Sequence, residues 1–230
     1  MKPNKGESQE SPKITHRQKS RGLAEEICIW QDSEQCGDCE LKDHVFCKPK
    51  PKYTIYFASP MIIVMVAVIW GIMDSVFDFG AKIAVLAIWF GYMFVFLNFW
   101  ESYMLCNHCP YYANEQEKVL HCPIDRGKLK TGRYDPGPLS NSEKVEFIIG
   151  VLILILFPLP FLLIAGQIIQ LISAIIGIML WLLFLQTMIC TDCINFSCPL
   201  NKVPDEIRNK FIQKNPIIKK AWEEKGYQID

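Results

Sequence analysis

The sequence is short of what nucleic-acid binders, haem carriers and ion pumps work with. Its 230 residues carry 24 Lys and Arg against 24 Asp and Glu. Formal net charge is therefore zero, and no basic surplus exists to attract nucleic acid. Histidine is scarce, occurring as His16, His44, His108 and His121. None of these falls in an apolar run, which excludes a bis-histidine haem within a bilayer. Residues 55–73, 83–100 and 147–191 hold no charge of either sign. Ion pumps and proton-coupled carriers use intramembrane carboxylates or cations, so transport is poorly supported. A phosphate loop, H-E-x-x-H and G-x-S-x-G are absent too.

The charge-free runs are themselves informative. A helix that crosses a bilayer needs about 20 apolar residues. The first two runs supply one such helix each, and the third supplies two, with Pro158, Pro160 and Gly166-Gln167 marking a turn between them. The expected fold is an all-α membrane protein: four transmembrane helices as two hairpins, with small cytoplasmic cysteine-rich segments. Helices are expected at 53–73, 79–100, 146–164 and 168–190. A soluble core of buried helices is the rival reading, but such helices rarely exclude charge so completely.

The chain divides accordingly. Residues 1–22 read as a disordered polar tail, too polar for a secretory signal. Residues 23–52 form a cytoplasmic four-cysteine segment, and 53–100 the first transmembrane hairpin. Residues 101–144 form a cysteine-bearing loop, 145–190 the second hairpin, and 191–230 a cysteine-bearing helical tail. In that tail Asn215-Pro216 reads as a helix cap, and Ile217, Ile218, Ala221 and Trp222 as an apolar face that packs on the protein itself. On helix two, Gly80, Ala84, Ala87 and Gly91 form a small-residue stripe, which would let helix four approach closely. The many aromatics of helix two read as lipid-facing and packing rings.

Lys and Arg counts set the orientation. Ten precede the first helix, one lies between helices one and two, six between two and three, none between three and four, and seven follow. Both termini and the central loop are therefore expected in the cytoplasm, in the plasma membrane of a prokaryote. All ten cysteines then lie on that side, where thiols are metal ligands or redox groups more often than structural disulfides.

Their spacing is ordered. Cys28, Cys36, Cys39 and Cys47 are separated by seven, two and seven residues. Cys36-Gly37-Asp38-Cys39 has the form of a metal knuckle, with Gly37 easing the turn. Further on, a weak repeat pairs Met104-Leu105-Cys106-x-x-Cys109 with Met188-Ile189-Cys190-x-x-Cys193, and Cys122-Pro123-Ile124 with Cys198-Pro199-Leu200. Each half thus delivers a C-x-x-C pair at the exit of a spanning helix. Cys106, Cys109, Cys190 and Cys193 could join in one four-thiolate tetrahedron, the usual structural zinc arrangement. His108 and His121 stand beside the thiols as candidate nitrogen ligands, and Gln186 lies one turn before Cys190.

Three functions follow in order. The first is a non-enzymatic multi-pass protein with thiolate metal sites, zinc by preference, serving as scaffold or sensor. The second is an iron–sulfur electron-transfer subunit, since zinc and iron both accept tetrahedral sulfur. The Cys-Pro endings resemble those of some bacterial four-helix membrane proteins with cytoplasmic iron–sulfur centres, although the full C-x2-C-x2-C-x3-C-P run is absent. The third is thiol–disulfide exchange. The lipid bilayer is the partner that composition demands. A membrane-protein partner or a homo-oligomer is compatible with it.

Overall fold

The structure, a computed structural model, describes residues 24, 26–31, 39–48 and 50–229. The tail 1–22 lies outside these residues. So does Cys36-Gly37-Asp38, the centre of the expected amino-terminal knuckle.

Four helices are long and apolar enough to cross a membrane, and no strand occurs among the described residues. Helix α1 runs Pro51–Met73, with proline in its first turn, where the missing N–H costs nothing. Helix α2 runs Phe79–Val95 and starts on Asp78, whose carboxylate accepts from the Ala81 amide. A π turn, Phe96–Trp100, and a short helix α3, Glu101–Met104, carry the rod to the cysteines. Helix α4 runs Asn141–Leu156. It begins earlier than the apolar run suggests, because Ser140 and Glu143 form a reciprocal capping box. Pro158 breaks it, as expected, and α5 continues as Leu159–Ile164. Helix α6 runs Ile168–Phe184 and also ends in a π turn, Leu185–Ile189. Helices α7, Asp205–Gln213, and α8, Pro216–Glu224, close the chain.

Packing departs from the expected neighbours. Helix α1 lies along α6, while α2 meets α4. Gly177 of α6 makes this possible: a Cβ there would stand 2.8 Å from Val64 Cγ2 on α1. The small-residue stripe on α2 does not receive α6. Gly91 has open space around it, and Gly80 faces only its own Asp78. Its aromatic side decides instead. Trp89 donates its indole N–H to the Leu154 carbonyl at 2.9 Å, and Tyr92 donates to the Gly150 carbonyl at 3.1 Å. Phe96 fills the space left by Gly150 and stacks toward Phe147, ring centroids 6.3 Å apart. Large rings need a groove, and directional N–H and O–H groups need acceptors. A stripe of small residues supplies neither.

Outward positions carry the exposed apolar side chains, among them Ile62, Val66, Ile88, Phe94, Ile169 and Met179. This band meets lipid, and the protein is an integral membrane protein. At one end of the bundle the amino-terminal segment, the central loop and the tail fold into a lobe. Its core joins Ile27, Leu41, Tyr112, Leu120, Phe211 and Trp222. The tail therefore packs on its own protein, as expected. Ile218 and Trp222 are its buried residues, and Gly226 ends it at φ 86°. Asn215 does not cap α8 with its side chain. Fully buried, it accepts from the Cys28 amide at 2.8 Å and donates to the Phe211 carbonyl at 2.6 Å.

A cysteine-lined cavity at the end of the bundle

Cys106, Cys109, Cys122, Cys190, Cys193 and Cys198 all line one cavity of about 170 Å³, where the lobe meets the spanning helices. These thiols form no disulfide. Both halves of the repeat contribute three sulfurs each. The exits of α3 and α6 place Cys106 and Cys190. Cys109 precedes the 3-10 turn Pro110–Tyr112. Cys122 sits on a tight loop held by Leu120 N–H to the Lys128 carbonyl at 2.8 Å and turned by Gly127 at φ 85°. Cys193 and Cys198 flank a knuckle tied by Asn201, which donates to the Cys193 and Asn195 carbonyls at 2.7 and 3.0 Å.

The sulfurs surround a space and do not converge on a point. Among the described residues, no three His, Cys, Asp or Glu side chains are grouped to hold a metal ion. Cys122, Cys193 and Cys198 remain partly accessible from the cavity although they lie deep in the molecule.

Four of the six sulfurs share a local environment. The amide two residues on acts on each: Tyr111 on Cys109, Ile124 on Cys122, Asn195 on Cys193 and Leu200 on Cys198. At Cys109 this is a weak amide–sulfur approach and not an oxygen-type cap. In three cases the intervening residue is proline, which has no N–H, so the next amide is the first donor available. Cys106 and Cys190 are held by side chains. The Cys106 thiol faces Asp125 Oδ2 at 3.8 Å, and Gln186 Nε2 donates to Cys190 Sγ at 3.9 Å.

Burial raises the Cys122 and Cys193 thiols from the ordinary 9.0 to about 12, and Cys109 and Cys198 rise as well for the same reason. In the metal-free protein these groups are protonated at neutral pH. Sequence reasoning missed the ion triad beside them. Lys128 Nζ lies 2.8 Å from Glu101 and 3.8 Å from Asp125, and its side chain is only 8% exposed. Burial pulls this ammonium down, but Glu101, Cys106 and Asp125 outweigh it and hold its pKa above the usual lysine range. Glu101 and Asp125 both line the cavity. Lys128 thus stands between two carboxylates beside the thiols. The spacing of Asp125 three residues after Cys122 was the available signal.

The remaining candidates lie elsewhere. His108 is buried with Nδ1 2.7 Å from the Gly137 carbonyl. His121 meets Glu117 at 3.3 Å and the edge of Trp30. Neither lines the cavity. Cys28 and Cys39 meet the corner between α7 and α8, where Asn215 Nδ2 lies 3.6 Å from Cys28 Sγ and Lys214 Nζ lies 3.5 Å from Cys39 Sγ. Cys47 packs against the lobe core nearby.

This geometry defines a class, a four-helix membrane protein with a cysteine-lined cavity at the bundle end. Comparison with protein-family models, curated proteins and solved structures finds no match.

Proposed function

We propose that the protein is a membrane-anchored iron–sulfur protein whose cluster occupies the six-cysteine cavity and moves electrons at the face that carries the lobe. One observation carries this reading: six thiols from both halves ring a common void without meeting at a point. A structural zinc site has four sulfurs about 2.3 Å from a single ion, with no interior space. A cluster of several irons and sulfides fills such a void and is held by thiolates around its edge. Amide donors to sulfur are among the groups that tune such a centre. The ligands are then Cys109, Cys122, Cys193 and Cys198, the four with amide neighbours, two from each half of the repeat. Cys106 and Cys190 line the site without ligating. A closed zinc site on Cys106, Cys109, Cys190 and Cys193, acting as a scaffold, is what the spacing alone favoured.

Anaerobic purification with metal, sulfide and visible-absorption analysis decides between them. Iron with acid-labile sulfide and a brown colour is expected. Zinc without colour would replace this reading with the scaffold. Serine at Cys109, Cys122, Cys193 or Cys198 should abolish the colour, whereas Cys106→Ser and Cys190→Ser should retain it.

The Lys and Arg distribution supports a cytoplasmic lobe. Reporter fusions after Asp78 and Gly166 should read as external, and one after Asp135 as cytoplasmic. An external signal at Asp135 would reverse the orientation.

A further inference from the structure

Two of the proposed ligands have a short route to the surface of the lobe. His121 is joined to Cys122 by one peptide bond, and its side chain is 40% exposed. Pro110 follows Cys109 in the same way. Trp30, from the amino-terminal segment, touches both neighbours. Its indole N–H donates to the Pro110 carbonyl at 3.0 Å, and its ring meets His121 edge-on with centroids 6.1 Å apart. Both rings are partly exposed. An aromatic pair thus stands between the chain neighbours of two thiols and water.

The charges around this pair are sorted by sign. Within residues 114–133 every carboxylate has a basic neighbour. Glu117 meets His121 at 3.3 Å, Asp125 meets Lys128 at 3.8 Å, and Glu115 acts on the Lys130 ammonium. Lys130 in turn lies 5.8 Å from the centre of the Trp30 ring. Lys118 and Arg133 are exposed and enter no ion pair among the described residues. Leu129, bridged to Val119 on the same hairpin, is apolar and 65% exposed. The surface is therefore a small aromatic and apolar patch with uncancelled positive charge beside it, in a chain whose net charge is zero. Its complement is an acidic surface. Trp30 packs against the lobe core and not against the spanning bundle, which favours a soluble partner over lipid headgroups.

We infer that this patch docks a small acidic electron-carrier protein, which passes one electron to the oxidised centre through the Trp30–His121 pair. No bond forms or breaks in that step; the carrier is oxidised as the centre is reduced. The electron transfer rests on the iron–sulfur reading above. The docking rests on the patch alone.

The test titrates the full chain in lipid nanodiscs with reduced plant-type ferredoxin, an acidic one-electron carrier. Binding and bleaching of the visible absorption are followed, and iron and sulfide are measured on the same samples. Saturable binding that weakens with salt is expected. Lys118→Glu with Arg133→Glu should weaken it about tenfold at low salt, with iron and sulfide unchanged. Leu129→Glu should weaken it as well. Lys210→Glu with Lys220→Glu reverses charge on the tail helices and should leave it as in the parent. Trp30→Leu should slow bleaching at saturating ferredoxin while binding is kept, and unchanged bleaching would remove the pair from the route. Equal weakening by the two charge reversals, or binding that no patch variant alters, would overturn the docking site. Protection of residues 118–133 from hydrogen exchange by anionic lipid, with no ferredoxin bound, would give the patch to the bilayer and overturn it too. Ferredoxin bound by a protein without iron would sink the cluster and spare the docking. A brown protein that ferredoxin neither binds nor bleaches would do the reverse.

Discussion

Gly150 leaves no room for a side chain. A Cβ there would run into the ring of Phe96, which sits across α4 in the space the glycine leaves. Gly150→Ala is therefore expected to destabilise the protein by about 1–3 kcal/mol through overpacking. Thermal unfolding in detergent measures the loss, and Phe96→Leu in the same chain should restore part of it. A double variant whose loss equals the sum of the two single losses would show that the two residues are not coupled. Lys128 is the second decisive residue. Its ammonium, 8% exposed, faces two carboxylates that line the cavity. Lys128→Met leaves both without a counter-ion, and breaking a buried pair from one side costs about 3–5 kcal/mol. The triple variant Glu101→Gln, Asp125→Asn, Lys128→Met should recover most of that. A Lys128→Met protein that melts like the parent would show the triad to be well solvated.

At the scale of elements, the corner between α7 and α8 ties the tail to the start of the described chain. Asn215 does this through the Cys28 amide at 2.8 Å and the Phe211 carbonyl at 2.6 Å, so one buried amide holds two distant segments in register. Asn215→Ala removes both hydrogen bonds, at about 0.5–1.5 kcal/mol for each. The effect should be local. Hydrogen exchange should quicken in residues 26–31 and 205–224 while the spanning helices keep their protection. Uniform exchange across the whole chain would mean that the lobe and the bundle unfold as one unit. The π turns that end α2 and α6 belong to this scale as well. Each lies at the cavity end of its rod, and such bulges occur often at functional sites.

At the scale of the whole molecule, the centre proposed for the cavity would couple metal occupancy to stability. Cys122 and Cys193 rise from 9.0 in an ordinary thiol to about 12 in the fold. The folded metal-free chain thus binds these protons more tightly than the unfolded chain. Its stability is full below the ordinary thiol value and is lost as pH climbs from about 9 to about 12. A bound metal would invert this, because ligated sulfurs have already released their protons. Chelator-stripped protein should therefore melt at lower temperature at about pH 10 than at about pH 7, and loaded protein should show little change. Metal uptake at neutral pH should release about one proton per ligated thiol. Identical pH profiles with and without metal would show that the thiols are not the ligands.

By itself the sequence determined the membrane helices, their number and most of their limits. Residues 147–191 contain no charge, and no packing partner is needed to know that such a run prefers lipid. It determined the break at Pro158, the turn at Gly166 and the end of α8 at Gly226, because these are local backbone constraints. It also showed which cysteines stand at helix exits, since that is a matter of position along the chain. Neighbours were another matter. The stripe from Gly80 to Gly91 permits close packing without specifying it, and α6 went to α1 because Gly177 admits Val64 and α2 found its acceptors on α4. The capping box at Ser140 was readable in principle, but it lies outside the apolar run that drew attention to helix three. Only the tertiary structure decided that six cysteines share one cavity, that His108 and His121 lie outside it, and that Glu101 and Asp125 stand in its wall with Lys128 paired to them. The physical reason is range. Hydropathy and turn chemistry act over a few residues, whereas the distance between Cys109 and Cys193 depends on every helix angle and loop between them.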